Sequence, residues 1–160
     1  MADSSYDQNW NAVYSLVDTE QNGFEAYIKG LSLDNKLNYT FSYSYLDAKI
    51  VNGLYFGGFS GTDGQRLIRR PKHKIVASVV WEPSKRYNLG INCIAGLNRE
   101  DSVGYRFEDL IVVRIFGRYA WNKDSSLFFR VENVSDKIYE YTSGFPAPPR
   151  QYYLGIEKKF

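Results

Sequence analysis

Side chains that could perform chemistry are few in this chain of 160 residues. His73 is the only histidine, so a metal site built from several histidines is excluded, and the cationic residues on both sides of it would repel a cation. Cys93 is the only cysteine, which excludes an internal disulfide. No serine or cysteine lies in a motif of nucleophilic catalysis. The sequence therefore predicts no enzyme, no metal site and no cofactor.

Two further segments superficially resemble ligand sites. The glycine-rich run from Gly57 to Gly64 is followed by neither the lysine of a phosphate-binding loop nor a helix, so we expect an ordinary loop. The acidic pairs Glu100-Asp101 and Glu108-Asp109 flank a long connection, where solvated carboxylates are expected and calcium ligation is the alternative. The net charge of +2 is too small to indicate a nucleic-acid partner.

One set of charged residues follows the period of a β-strand: Arg114, Arg118, Arg130 and Glu132. Residues two positions apart share one face of a strand, and their immediate neighbours on the other face are mostly apolar. If these strands belong to a membrane barrel whose apolar side faces lipid, all four charged side chains face its interior, the lumen. Arginine–glutamate pairing between strands is one interpretation, and separately hydrated charges are the other.

Alternation of apolar and polar residues predicts the elements that carry these side chains. From Leu37 to Tyr45, aromatic and aliphatic residues alternate with asparagine, threonine and serine, which is typical of a strand with one face in an apolar medium. The pattern recurs from Tyr87 to Leu97 and in a strand that ends at Trp121. Weaker strands are expected over 10–17, 24–33, 74–82 and 126–134, and the C-terminal strand brings the total to about eight.

Connections between these strands alternate in length. The short ones, 33–36, 83–86 and 122–125, are rich in turn-forming residues, whereas 50–72, 98–109 and 135–150 are long and 18–23 is intermediate. Short periplasmic turns and long extracellular loops are typical of outer-membrane barrels. We therefore expect an all-β, antiparallel, up-and-down transmembrane β-barrel of about eight strands in a Gram-negative type of outer membrane.

The end of the chain also favours a barrel. Tyr152, Leu154 and Ile156 alternate with polar residues, and Phe160 would place an aromatic ring at a membrane interface. Aromatic residues make up 17% of the chain, which suits interface belts, and the mean hydropathy of -0.42 fits a barrel whose lumen is polar. A soluble β-sandwich or ligand-binding barrel is the competing interpretation, but the large aromatics of 37–45 would crowd its core.

Three blocks of sequence resemble TonB-dependent outer-membrane receptors, and the cobalamin type is the relative that they suggest. They are 69–73 (RRPKH), 130–139 (RVENVSDKIY) and 144–150 (GFPAPPR). The resemblance implies that 10–160 is the C-terminal part of a 22-stranded, plugged barrel, preceded by a flexible segment over 1–9. Such a receptor imports a scarce chelate of the cobalamin or siderophore class with energy passed on by TonB.

The chain departs from that family because it has no plug domain and only about eight strands, so we expect no transport by the chain alone. The implied partners are outer-membrane lipid, the outer-membrane insertion machinery, and the missing plug and barrel strands.

The terminal strand, with Tyr152, Leu154, Ile156 and Phe160, would be the assembly signal. The aromatic loop with Tyr139, Tyr141 and Phe145 would contact ligand, or only pack on other loops. A free-standing small barrel with a structural or adhesive role is the alternative function.

Overall fold

The computed structural model describes residues 2–6, 9, 12–16, 18–52, 64–102 and 105–159, in which all regular elements are strands. The described ranges contain no helix long and apolar enough to cross a membrane. In chain order the strands are β1 (Ala2–Tyr6), β2 (Ala12–Leu16), β3 (Asp18–Ser32), β4 (Leu37–Asn52), β5 (His73–Ser84), β6 (Tyr87–Leu97), β7 (Arg99–Ser102), β8 (Tyr105–Phe107), β9 (Leu110–Ala120), β10 (Ser125–Glu132), β11 (Glu140–Thr142), β12 (Phe145–Pro146) and β13 (Gln151–Lys158).

Seven strands form one antiparallel meander in the order β3-β4-β5-β6-β9-β10-β13. The hairpins β7–β8 and β11–β12 lie within connections of this sheet, and β1 pairs only with β2 among the described strands. The predicted all-β, up-and-down architecture is therefore confirmed. The sheet has one strand fewer than expected, because β2, in the predicted strand 10–17, pairs with β1. The sheet is also open, since its edge strands β3 and β13 each pair on one side only within the described residues.

Short turns and long connections lie at opposite ends of the sheet, here called the turn end and the loop end. In the β3–β4 turn, Leu33, Asp34 and Asn35 have positive φ angles of 54°, 54° and 65°, a conformation that asparagine and aspartate tolerate well. Lys36 N donates to Leu33 O over 3.1 Å and closes this turn. The long connections follow β4, β6 and β10, so the predicted asymmetry of connection lengths is confirmed.

One face of the sheet is apolar across all seven strands. Strand pairing places Ile28, Phe41, Ala77 and Cys93 in one row, followed by Val113. The apolar residues of the segments that alternate in the sequence share this face, where we expect lipid: Leu37, Tyr39, Phe41, Tyr43, Leu89, Ile91, Val113, Ile115 and Leu154.

Aromatic rings mark both ends of the apolar face. At the turn end Tyr87 stacks on Tyr119 with ring centroids 5.0 Å apart. At the loop end Tyr43 hydrogen-bonds to His73 over 2.8 Å. Trp81 and His73 lie eight residues apart on β5, roughly 27 Å along the strand. At the usual barrel tilt this is about 20 Å of height, close to the ~25 Å apolar band of outer-membrane barrels.

Glycine and aromatic residues face each other across neighbouring strands. At each of these glycines, a Cβ atom would collide with the opposite ring. A ring therefore covers the backbone that the glycine leaves bare, an arrangement that pins the register of the strands. The opposed pairs are Gly30 with Tyr39, Gly90 with Phe116, Gly117 with Phe129 and Gly155 with Phe128.

The loop ends of β3 and β4 project beyond the rest of the sheet. Residues 18–23, interpreted from sequence as a connection, pair instead with 46–52 and belong to β3, which corrects that interpretation. Residues 64–72 run alongside, with Leu67 N donating to Ala48 O over 2.9 Å. Leu67 packs there with Ala48 and Ile50 in a small core. Only five apolar residues are buried among those described, so the sheet has no second layer of the kind a soluble sandwich needs.

Candidate functional site

The polar face of the sheet carries a continuous row of hydrophilic side chains. Ser78 Oγ donates to Asn92 Oδ1 over 2.8 Å at the centre of this row. The row crosses all seven strands at one level, so hydrogen-bonding groups are available along its whole width. Its members are Lys29, Thr40, Ser78, Asn92, Arg114, Glu132 and Gln151.

Charged side chains cluster where β9, β10 and β13 lie together. Arg114 Nε lies 2.7 Å from Glu132 Oε2, and Arg130 Nε lies 3.1 Å from Glu132 Oε1. The Arg130 guanidinium also stacks over the Tyr153 ring, 4.2 Å from its centroid. Two arginines thus share one carboxylate, and the second is held by an aromatic face as well.

Arg118 lies on the same polar face but belongs to a separate group. Its Nε donates to Ser126 Oγ over 2.9 Å, and its Nη2 lies 3.5 Å from Glu157 Oε2. The structure therefore brings together Arg114, Arg130 and Glu132 of the predicted charged set. The partner Glu157 was missed because the sequence does not reveal which strands are neighbours.

A concavity of about 1040 Å³ opens on the polar face towards the turn end. Arg114, Arg118 and Arg130 line it together with Phe116 and Phe128. Most of the strand residues that line it thus belong to the polar face, as expected for the side of a barrel wall that faces a polar interior.

Asn133 lies directly after β10 and anchors the long connection over 133–150. Its side chain is only 2% exposed, and its φ angle is 50°. Nδ2 donates to Lys137 O over 2.9 Å, while Oδ1 accepts a hydrogen bond from Lys137 N over 3.2 Å. A buried asparagine with both ends of its amide satisfied fixes the chain on either side of it.

The other end of this connection returns to the same place through Arg150. Arg150 N donates to Asp136 Oδ1 over 2.9 Å, and the Arg150 guanidinium lies 3.0 Å from Asp136 Oδ2. The hydrogen bond from the Arg150 backbone, reinforced by its side chain, lowers the pKa of Asp136. The blocks 130–139 and 144–150 thus meet at the base of one closed loop. Asn133, Asp136 and Arg150 were not singled out from sequence, although asparagine and aspartate are frequent turn formers.

Of the aromatic residues predicted to contact ligand, Tyr141 and Phe145 lie in the hairpin β11–β12 at the tip of this loop, and Tyr139 lies directly before it. Tyr139 and Tyr141 make an edge-to-face contact with ring centroids 5.4 Å apart. Burial raises the pKa of Tyr139 to about 12, with a contribution from its hydrogen bond to Tyr141. Tyr141 and Phe145 are 61% and 72% exposed. These two residues and the prolines beside Phe145 line a depression of about 460 Å³.

The acidic pair Glu100-Asp101 is not simply solvated, which corrects the expectation from sequence for this pair, whereas Glu108 and Asp109 are exposed as expected. Asp101 is only 5% exposed, and its Oδ1 lies 2.7 Å from Arg69 Nε. Glu100 Oε1 lies 3.1 Å from Arg66 Nη1. Both acids bind arginines that follow the segment 53–63, which lies outside the described residues. Nowhere in the described ranges do three metal-ligating side chains come together.

The terminal strand exposes its apolar side along the edge of the sheet. Tyr152, Leu154 and Ile156 alternate on the apolar face of β13, where they pair with Val131, Phe129 and Leu127. Phe160 lies outside the described residues. The predicted role of these residues as an assembly signal stays a prediction.

Comparison with known proteins identifies the architecture. No protein-family model and no curated protein matches the chain. Among solved structures, the chain is similar to the siderophore receptor PiuA from Acinetobacter baumannii, with a TM-score of 0.77 and 18% identity over 98% of this chain and 24% of that one. The fold is that of a TonB-dependent receptor barrel wall.

Two further receptors of this fold match at similar levels. The ferric-catecholate import receptor Fiu from E. coli K12 has a TM-score of 0.71 and 17% identity over 98% of this chain and 23% of that one. The ferripyoverdine receptor of Pseudomonas aeruginosa has a TM-score of 0.74 and 16% identity over 100% of this chain and 23% of that one. The chain thus spans about a quarter of the length of these TonB-dependent receptors.

Proposed function

We propose that this chain is a wall segment of a TonB-dependent receptor in the outer membrane of a Gram-negative cell. The observation that carries the proposal is the open seven-stranded meander, which is apolar on one whole face and carries a continuous polar row on the other. A soluble protein would cover that apolar face with a second layer. Lipid covers it instead, and the polar face lines the lumen.

The chain acts as part of a larger barrel rather than alone. Among the described strands, its edge strands β3 and β13 pair on one side only, and in a bilayer their outer edges must pair with further strands because no water satisfies them. The partners are therefore the remaining barrel strands, together with a plug that fills the lumen. The outer-membrane insertion machinery would assemble the wall. Without a plug the segment is not competent for energised transport.

The substrate of the complete receptor is a scarce metal chelate of the siderophore class, with cobalamin as the second candidate. Support comes from the apolar depression beside Tyr141 and Phe145, which lies at the loop end, where an extracellular ligand arrives. The edge-to-face contact with Tyr139 restricts the orientation of the Tyr141 ring. Exposed, rigid aromatic rings of this kind suit a bulky chelate with apolar edges.

Refolding of the chain from urea, with and without detergent, tests the proposal. Because the wall is open, we expect folding only with detergent or lipid, and diffuse electrophoretic mobility in unheated samples. A compact band that shifts on heating would instead show a closed, free-standing small barrel. Cooperative folding in water without detergent would show a soluble protein and overturn the membrane assignment.

Uptake in cells tests the transport part of the proposal. A Gram-negative host that lacks its own siderophore receptors should export and insert the chain but take up no ferric siderophore. Uptake by the chain without any plug would contradict its role as a partial wall.

A further inference from the structure

Two charged residues of the connection over 98–109 are buried at the loop end. Arg99 and Asp101 are 7% and 5% exposed, although both carry charges. Removing such groups from water is costly unless each finds several partners. Three of their partners, Arg69, Glu140 and Ser143, lie on other connections, 32 to 42 residues away in sequence, which makes the two residues candidates for joining loops together.

Arg99 joins its own connection to the aromatic hairpin β11–β12. Its Nη1 donates to Glu140 O over 2.9 Å, and its Nη2 donates to Glu108 O over 3.2 Å. Its guanidinium also stacks over the Phe107 ring, 5.0 Å from the centroid. The flat, forked guanidinium donates to the two carbonyl groups from two separate nitrogens while its face covers the ring, a combination that a lysine ammonium does not offer.

Asp101 joins the same hairpin to a third connection. Its Oδ2 accepts a hydrogen bond from Ser143 N over 3.0 Å, while its Oδ1 accepts one from Arg69 Nε over 2.7 Å. Arg69 belongs to the segment 64–72, which runs beside β4. The hairpin is therefore held at two points, Glu140 and Ser143, by two side chains of one neighbouring strand.

We propose that Arg99 and Asp101 are positioning residues that hold the aromatic hairpin in its ligand-binding orientation. The proposal rests on the proposed function, because the hairpin carries the exposed rings of Tyr141 and Phe145. The two buried side chains link three connections, 64–72, 98–109 and 133–150, through hydrogen bonds. A chelate that contacts the hairpin therefore meets a preorganised surface, and little ordering is needed on binding.

Hydrogen exchange of the folded chain in detergent tests the positioning role without any ligand. Asp101→Ala removes both acceptors and should speed exchange over 139–147 by about tenfold or more, since hydrogen bonds to charged groups are among the stronger ones. Exchange in β6 and β9 should not change, which separates loss of hairpin position from loss of folding.

A second variant removes the donor instead of the acceptor. Gly144 has a φ angle of 80°, the pattern of a type II turn, in which proline is favoured at the preceding position. Ser143→Pro therefore deletes the N–H that binds Asp101 while keeping the turn. We expect the same faster exchange in the remaining amides over 139–147.

Asp47→Asn is the matched control, because within the described residues the ion pair of Asp47 is a local one, with Lys49 on β4 over 3.2 Å. It should leave exchange over 139–147 unchanged. Unchanged exchange in both Asp101→Ala and Ser143→Pro, or equal acceleration in Asp47→Asn, would overturn the positioning role.

Binding of a ferric tris-catecholate complex, followed by calorimetry, connects the positioning role to ligand recognition. Asp101→Ala and Arg99→Lys should weaken binding several-fold, whereas Asp47→Asn should not. Faster hairpin exchange with unchanged affinity would overturn the ligand-orienting role. Failure of the parent chain to bind this probe would count against the proposed ligand contacts, and the exchange experiment would still decide whether Arg99 and Asp101 hold the hairpin.

Discussion

Arg114 Nε and Glu132 Oε2 lie 2.7 Å apart on the polar face, and the same carboxylate binds Arg130. Glu132→Gln keeps the shape but leaves two arginines without their shared anion. Because these side chains are partly exposed, we expect the free energy of unfolding to fall by about 1–2 kcal/mol in a urea titration of the detergent-folded chain. Glu157→Gln, at the longer and more exposed pair with Arg118, should cost less than about 0.5 kcal/mol. Equal losses would show that the shared carboxylate has no special role.

The opposed residues Gly90 and Phe116 give a second prediction. A Cβ atom at position 90 would collide with the Phe116 ring, so Gly90→Ala should destabilise the sheet by about 1–3 kcal/mol, the usual cost of overpacking. Phe116→Leu in the same chain should recover part of this loss, and a double-mutant cycle measures the coupling. Purely additive effects would show that the ring does not pack on the glycine.

The pH dependence of the hairpin follows from the surroundings of Asp101. Burial by itself would raise the pKa of Asp101, but hydrogen bonds from Arg69 and Ser143 N, with the charge of Arg99, outweigh it and lower the pKa. A carboxyl group with a lowered pKa stabilises the folded state at every pH above its unfolded value of about 3.9. This stabilisation disappears as the pH falls through the lower, folded value.

We therefore expect hairpin protection, corrected for intrinsic exchange, to stay constant from about pH 7 to pH 5 and to be lost below about pH 4. Titration of the Asp101 carboxyl carbon by NMR should show its midpoint below about 3.9. A midpoint above that value would mean that the arginines do not stabilise the charged form.

Alternation along the strands made the faces of the sheet predictable from sequence. From Leu37 to Tyr45 the pattern is complete, because one side of this segment is apolar and the other polar along its whole length. Residues 18–23 were misassigned because that part of β3 projects beyond the aromatic ring of Tyr45, where both faces meet water and no alternation is needed. Alternation of apolar and polar residues reveals a strand only where its two faces meet different media, and strand hydrogen bonding by itself leaves no such pattern.

The loop contacts were not predictable in the same way. Asp101 and Ser143 are 42 residues apart and meet only because the meander brings their connections to the same end of the sheet. Nothing in the local sequence of Asp101 distinguishes a buried carboxylate from a solvated one. The three sequence blocks, by contrast, pointed to the correct fold, and two of them meet at the bond between Asp136 and Arg150.

Deletion of Phe160 tests the assembly signal. Burial of a large apolar side chain is worth only about 1.5–3 kcal/mol, so refolding in detergent should change little. Insertion in cells should fall sharply, because an exposed strand edge near this residue must be recognised before the barrel closes. Phe160→Tyr, which keeps an aromatic ring, should insert normally. If the deletion lowers detergent refolding and insertion in cells equally, Phe160 contributes only packing. If insertion in cells does not change, Phe160 is not an assembly signal.

The comparison of Phe41→Arg with Ser42→Arg tests the central claim most directly. These neighbours lie on opposite faces of β4, and Phe41 pairs with Ala77, midway between Trp81 and His73 on β5. An arginine at 41 would enter the middle of the lipid and should cost roughly 2–4 kcal/mol in folding into bilayers, whereas an arginine at 42 would face the lumen and cost little. If Phe41→Arg folds into bilayers as well as the parent chain while Ser42→Arg does not, the apolar face does not meet lipid.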